Sequence, residues 1–201
     1  MNKQPLLTAV TGGIGAGKSV VCRMLRAMGY NVYDCDRRAR AIISELPELR
    51  ENIRNSVCEN AFLDDGTYNR KAVADAVFAD EERRRALNTL VHAAVFSDII
   101  RWRNRHDHCR RLFVESAILY TSDLWHFVDD AWVVEADEDT RIARVMLRSL
   151  SESSSVPLTA DEIRSRMATQ ACNAPDFPIP YSVIVNDDCT PLLPQVLARL
   201  K

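Results

Sequence analysis

The chain has 201 residues, 47% of them hydrophobic and 27% charged, with a formal net charge of −2. This is the composition of an ordinary soluble globular chain, long enough for one α/β domain with an insertion and a substantial core. The charge balance argues against bulk nucleic-acid binding, and no apolar run reaches the roughly 20 residues that span a membrane as a helix.

Met1-Asn2-Lys3 leads directly into the apolar run Leu6-Leu7-Thr8-Ala9-Val10, without the pattern of a cleavable signal peptide. The expectation is a mature start at Met1, a cytoplasmic location and no membrane partner. The run reads as a buried parallel strand. Residues 12–19, Gly-Gly-Ile-Gly-Ala-Gly-Lys-Ser, then match the G-x-x-x-x-G-K-[ST] phosphate loop, and Val20, Val21, Met24, Leu25 and Met28 follow at helical spacing. Strand, glycine loop and helix N-terminus together make an anion site, where backbone N–H groups and the helix dipole favour negative charge. Lys18 is expected to reach the β- and γ-phosphates of a nucleoside triphosphate, and Ser19 to place its hydroxyl on Mg²⁺.

Gly29 ends this helix, and Tyr30 to Tyr33 read as a second strand closing in Asp34-Cys35-Asp36. From Arg37 to about Arg110 the pattern is mostly helical, broken near Pro47 and at Asp64-Asp65-Gly66-Thr67. Its longest block, about Ala79 to Arg105, has Leu87, Leu90, Val91, Ala94, Val95, Ile99 and Trp102 as a buried stripe, with His92 at the edge. Leu112-Phe113-Val114, ending in Glu115, and Ala131 to Val134 are the third and fourth strands. A helix from about Glu138 sets Ile142, Val145 and Met146 on one side and Arg141, Arg144 and Arg148 on the other. Ser149 to Pro157 reads as a flexible connection, and Thr159 with Glu162 forms a capping box for the next helix. Ser182 to Val185 is the fifth strand, ending in Asn186, and the last helix is expected to bury Leu192, Leu193, Val196, Leu197 and Leu200. The six cysteines, at 22, 35, 58, 109, 172 and 189, include no Cys-x-x-Cys pair. They read as reduced core or near-core thiols rather than a zinc or redox site.

Strands alternating with helices imply a parallel sheet covered on both faces, with ligands at the carboxyl ends of the strands. The residues at those ends are the glycine loop, Asp34 and Asp36, Glu115 and Asn186. Phosphoryl transfer needs a metal, positive charge at the γ-phosphate and an oriented acceptor. Asp36 is placed to accept the proton of an acceptor hydroxyl, its alternative role being a helix cap; Asp34 reads as structural, a cap for the next helix. Glu115 is either an acidic group on the metal side, contacting Mg²⁺ through water, or a buried structural carboxylate. Arg141, Arg144 and Arg148 form either a lid that neutralises transition-state charge or a solvated basic face.

With these motifs in order, the chain resembles the dephospho-coenzyme A kinase family along nearly its whole length. That family has a Thr-Gly-Gly-Ile-Gly-Ser-Gly-Lys-Ser loop, from which Thr11 to Ser19 differ at Ala16 alone, and a strand ending in Asp-Ala-Asp, here Asp34-Cys35-Asp36. The resemblance makes Asp36 the catalytic aspartate. It implies that Asn69-Arg70 and Leu87-Asn88-Thr89-Leu90-Val91-His92 match motifs of the family's insert, so that Arg70 and His92 help bind the acceptor nucleotide. Arg144 and Arg148 match its lid pair, Arg166 to Gln170 its Arg-x-x-x-Gln, and Asn186 an asparagine near the ATP adenine.

The implied fold is a three-layer α/β P-loop NTPase fold with a five-stranded parallel sheet. It is one kinase domain with a core at about 1–36, 110–137 and 180–201, a helical acceptor-binding insert at about 37–109 and a lid at about 138–179. The implied reaction is phosphorylation of the ribose 3′-hydroxyl of dephospho-coenzyme A by ATP with Mg²⁺, in a monomer or weak homo-oligomer that binds no nucleic acid. Catalysis falls to Asp36, Lys18 and Arg144. ATP contacts fall to Gly13, Ile14, Gly15, Ala16, Gly17, Lys18, Ser19, Val20, Arg144, Arg148 and Asn186, and acceptor contacts to Asp36, Arg70, His92 and Glu115.

The chain also departs from the family pattern. Ala93 follows His92 in place of proline, Glu115 stands where aspartate is usual, and Ala117 to Thr121 lack the usual terminal glutamate. Ser149 replaces an aspartate, while Pro175-Asp176 and Pro180-Tyr181 replace Glu-Lys and Ala-Asp. Another P-loop small-molecule or nucleoside kinase, or a nucleotide-dependent binding module with little catalysis, are the competing readings.

Overall fold

The computed structural model describes residues 4–119, 121–151, 158–169 and 178–201. The expectations for the serine-rich connection at 152–157, for Tyr120, and for Gln170, Cys172 and Pro175-Asp176 lie outside these residues. The chain divides into two compact units, Met1–Tyr33 with Asp107–Lys201, and Asp34–His106.

The first unit is built on a parallel sheet in the order β2-β3-β1-β4-β5. Its strands are β1 (Leu6–Thr11), β2 (Val32–Asp34), β3 (Arg111–Glu115), β4 (Asp130–Glu135) and β5 (Tyr181–Val185). β1 lies at the centre, with Val10 opposite Glu115 on one side and Trp132 on the other, which explains its nearly unbroken apolar run. Alternation along the strands sends Val10, Phe113, Trp132, Val134 and Ile184 to one face. There they meet Val21, Cys22 and Leu25 of α1 (Lys18–Ala27). Leu7, Ala9, Leu112, Val114, Ala131 and Val133 alternate with them and are buried as well. α1 stops where the sequence places glycine: Gly29 adopts φ 88°, its N–H donates to Arg26 O and that of Tyr30 to Leu25 O, each at 3.0 Å. This is a Schellman closure.

Further along lie α6 (Glu138–Ser151) and α7 (Ala160–Thr169), joined by a small cluster of Ile142, Val145 and Ile163. The capping box at α7 is formed: the amide and hydroxyl of Thr159 both donate to Glu162 Oε2, at 2.8 and 2.9 Å, and the Glu162 amide returns to Thr159 Oγ1. Ser149 is buried, accepting from the Leu158 amide at 3.3 Å and donating to Met146 O at 2.8 Å, so a hydroxyl suits that position structurally. The closing helix, which we label α8 (Leu192–Arg199), corrects the sequence expectation in part. Val196 is fully buried and Leu192 and Leu200 pack partly, but Leu193 and Leu197 remain 49% and 45% exposed. Helix α8 packs on α1 and β5, and its apolar stripe is wider than the face those elements cover.

The second unit is helical: α2 (Cys35–Glu45), α3 (Pro47–Ser56), α4 (Arg70–Ala79) and α5 (Glu81–Arg105). Leu46 is held extended ahead of Pro47, which separates α2 from α3. Asn69 caps α4 through the Ala72 amide, and Asp80 caps α5 through those of Glu82 and Arg83. Val95 and Ile99 are the buried apolar residues of α5, and the other members of its expected stripe are half-buried. Asp98 is buried beside them, held by Arg38 Nε at 3.0 Å and Arg101 Nη2 at 3.4 Å. Among the described residues no helix is long and apolar enough to cross a membrane. The described cysteines are unbridged: Cys22 and Cys35 are buried and Cys189 is exposed.

Candidate active site

The phosphate loop turns immediately after β1. Gly12 adopts φ 143°, and a Cβ there would run into the Val134 carbonyl of the neighbouring strand. At Gly15, φ 79°, a Cβ would lie 2.5 Å from the Arg141 carbonyl. Both positions combine a left-handed backbone with a close approach, so both require glycine. The Ala16 amide closes the loop onto Gly13 O at 3.2 Å, and the Val20 amide opens α1 onto Gly17 O at 2.9 Å. Lys18 turns back along the loop and donates to Gly12 O at 2.8 Å and Gly13 O at 3.1 Å. Its ammonium is thereby held against the loop backbone. Ser19 is exposed in the first turn of α1, as is required of a hydroxyl that meets a ligand.

Two arginines of α6 are fixed on this loop. Arg141 Nε donates to Ile14 O at 2.9 Å. Arg144 reaches Gly15 O and Ala16 O at 3.4 and 3.5 Å, Asn186 O at 3.0 Å, and the carboxylate of Asp188. Asn186 in turn donates from Nδ2 to Ala16 O at 2.7 Å and is itself buried. The end of β5 is set by Gln195, whose side-chain amide donates to Val185 O at 2.8 Å and accepts from the Val185 N–H at 2.9 Å, imitating a strand partner at the sheet edge. Arg141 and Arg144 are therefore loop-bound rather than members of a merely solvated face. Arg148 is exposed one turn further along α6. Ile14 packs against the cluster of α6 and α7, which ties the loop to these helices by apolar contact as well.

Glu115 sits at the end of β3, opposite Val10 where β1 enters the loop. Its carboxylate lies 3.9 Å from Arg26 Nη2, with the side chain 15% exposed. The oxygens of Ser19 and Glu115 are hard donors of the kind Mg²⁺ takes. Among the described residues there is no cluster of three or more His, Cys, Asp or Glu side chains that would cage a metal.

The remaining predicted residues belong to the second unit. Asp34 caps α2 by accepting from the Arg37 amide at 2.9 Å. Asp36, in the first turn of α2, does not perform that task and is exposed. Arg70 is the first residue of α4 and is exposed, while His92 is half-buried on α5 with its ring 6.0 Å from that of Phe96. Arg141 is the residue that sequence reasoning underweighted: its i, i+3 spacing from Arg144 was the available signal, but the motif match singled out Arg144 and Arg148.

A glycine loop with its lysine and hydroxyl, leading from the central strand of a parallel sheet into a helix, defines a P-loop nucleotide-binding protein. The family model described as dephospho-CoA kinase matches residues 6–191, and the chain belongs to that family. A dephospho-CoA kinase from Chlorobaculum tepidum is 35% identical over 175 residues, covering 83% of this chain and 79% of its own. One from Bacteroides fragilis is 32% identical over 189 residues, covering 94% and 88%. Among solved structures, TT1252 from Thermus thermophilus superposes with a TM-score of 0.78 at 28% identity over 98% of this chain and 95% of its own. The dephospho-CoA kinase from Campylobacter jejuni gives 0.66 at 18% identity over 96% and 94%, a likeness of fold.

Proposed function

We propose that this protein transfers the γ-phosphoryl group of ATP to the ribose 3′-hydroxyl of dephospho-coenzyme A, giving coenzyme A and ADP. The observation that carries the reading is the phosphate loop, with Lys18 and Arg144 converging on its backbone, in a chain whose family is that of dephospho-CoA kinase. Residues 13–20 hold the triphosphate through their amides, with Lys18 as the positive tether on its β- and γ-oxygens. Arg144, and Arg148 after a side-chain rearrangement, place guanidinium charge on the transferring group. Asn186, hydrogen-bonded to Ala16 O, sets the floor on the adenine side.

Asp36 accepts the proton of the acceptor hydroxyl or holds it in line, and Arg70 and His92 retain the acceptor nucleotide. Ser19 would hold Mg²⁺, with Glu115 acting through water, and the ion would supply positive charge to the phosphates during transfer. The test is ADP release from the purified protein with MgATP against a panel of hydroxyl acceptors: dephospho-coenzyme A, adenosine, other nucleosides and simple sugars. Release stimulated by dephospho-coenzyme A above the rest supports the reading, and equal or greater stimulation by another acceptor replaces it.

A further inference from the structure

The Arg144 guanidinium is gripped differently on its two edges. On the outer edge, Nη2 donates to Asn186 O at 3.0 Å and to the carboxylate of Asp188, three residues past the end of β5. On the other edge, Nη1 reaches Gly15 O and Ala16 O only at 3.4 and 3.5 Å, the long limit of a hydrogen bond. A Cβ placed on Gly17 would lie 3.9 Å from the same Nη1. Gly17 is the N-cap of α1, so Nη1 stands at the helix end that gathers anions. The fork is held firmly away from the anion site and loosely towards it.

That place is unfavourable for a bare cation. The amino end of a helix carries about half a positive charge, and Lys18 holds the same loop. Without nucleotide, a guanidinium there needs a counter-charge, and Asp188 supplies it. The backbone of Asp188 has φ 62°, and it is the one non-glycine residue with a positive φ among the described residues. Aspartate tolerates this conformation better than most side chains, but glycine adopts it more readily still. What Asp188 offers over glycine is its carboxylate. The turn itself is built by Asp187, whose Oδ1 accepts from the Cys189 and Thr190 amides at 3.0 and 2.6 Å and whose Oδ2 accepts from the Thr190 hydroxyl at 3.0 Å. The Asp188 side chain is 69% exposed and that of Arg144 24%, so the pair is solvated enough to yield without stranding a buried charge.

We propose that Asp188 is a positioning residue: its carboxylate holds Arg144 at the amino end of α1 before nucleotide arrives. Nη1 then passes from loop carbonyls to phosphate oxygens with little movement of the side chain. The proposal rests on the reading of Arg144 as the arginine that places charge on the transferring group. A donor already in place meets developing charge without reorganising, which acts on the rate of transfer more than on nucleotide affinity. A carboxylate that withheld Arg144 from phosphate would grip the loop-facing edge. Here it grips the opposite one.

The experiment joins steady-state kinetics to nitrogen NMR of the arginine side chains. It compares the unaltered protein with Asp188→Gly, Asp188→Asn, Arg144→Ala, and Asp188→Gly combined with Arg144→Ala. Glycine and asparagine both accept the backbone conformation at 188, so melting temperatures should stay within about 3 °C. Both Asp188 changes are expected to lower kcat roughly three- to tenfold, as for a misplaced rather than a missing group. The KM for MgATP should rise no more than about twofold. Added to Arg144→Ala, Asp188→Gly should lower kcat no further. The Arg144 guanidinium signals, assigned by their loss in Arg144→Ala, should be resolved in the nucleotide-free protein and merge by exchange in Asp188→Gly. A kcat unchanged or raised in both Asp188 variants overturns the positioning role, even where the unaltered protein makes coenzyme A. An equal fall in the Arg144→Ala background overturns it as well, because Asp188 then acts other than through Arg144. If the unaltered protein yields no phosphorylated product, the kinase reading falls and the NMR signals decide alone. Merged in Asp188→Gly, they support the clamp; unchanged, they overturn it.

Discussion

Lys18 and Asp36 differ in what they do before any substrate arrives, and that difference separates their variants. Lys18 holds two loop carbonyls of the free protein, whereas Asp36 is exposed in the first turn of α2, with Asp34 already serving as the cap. Lys18→Ala should therefore lower stability, by about 1 kcal/mol for two partly exposed hydrogen bonds, and lower turnover by at least about a hundredfold. Asp36→Asn should leave the melting temperature unchanged and keep both ligands bound, while kcat falls by about 10²–10⁴-fold, the range for loss of a general base. Thermal melts and steady-state kinetics on the two proteins check both statements. Full turnover in Asp36→Asn removes the assigned mechanism.

At the scale of elements, the join between α2 and α5 depends on a buried charge. Asp98 is 6% exposed and is shared by Arg38 of α2 and Arg101 of its own helix. Asp98→Ala strands Arg38, but both arginines are partly exposed and regain water. The cost should be about 1–2 kcal/mol, below that of breaking a fully buried pair, read as a fall of roughly 2–8 °C in melting temperature.

The caps add a dependence on pH. Backbone N–H groups of Thr159 and Thr190 hold the carboxyls of Glu162 and Asp187 below the usual carboxylate range. A carboxyl whose folded pKa is depressed leaves the unfolded chain binding more protons in acid. Its contribution is present above about pH 4 and fades as pH falls through the lower, folded value. Melting temperatures measured from pH 6 to 3 should fall in the acid range, and the fall should be shallower in Glu162→Gln, which has less left to lose. An equally steep fall in that variant contradicts the assignment.

Over the whole molecule, what the sequence made legible was whatever lay close together along it. The phosphate loop is eight consecutive residues with a strand before and a helix after, and Thr159 and Glu162 cap a helix three residues apart. Asp98 was not legible, because its principal partner, Arg38, is 60 residues away and a charged residue on a helix ordinarily faces water. Leu193 and Leu197 failed in the opposite direction. Helical spacing gives the width of an apolar stripe but not how much of it the sheet covers, and here it covers Val196 fully and those two leucines only in part. The i, i+3, i+7 arginines were legible as a set but not as two different situations: Arg141 and Arg144 on the loop, Arg148 exposed. Asp36 was marked by its place just past the second strand, whereas Arg70 and His92 came from the family resemblance alone, since an exposed or half-buried side chain on a helix carries no local sign of its substrate.

The central claim is that the phosphoryl group of ATP passes to the 3′-hydroxyl of dephospho-coenzyme A. The most direct measurement is the mass and phosphorus NMR spectrum of the product formed by the purified protein from MgATP and dephospho-coenzyme A. The expected product is coenzyme A, heavier by one phosphate carried as a 3′-monoester, in equal amount to the ADP released. ADP formed without a phosphorylated acceptor, or a phosphate attached elsewhere on the molecule, would contradict it.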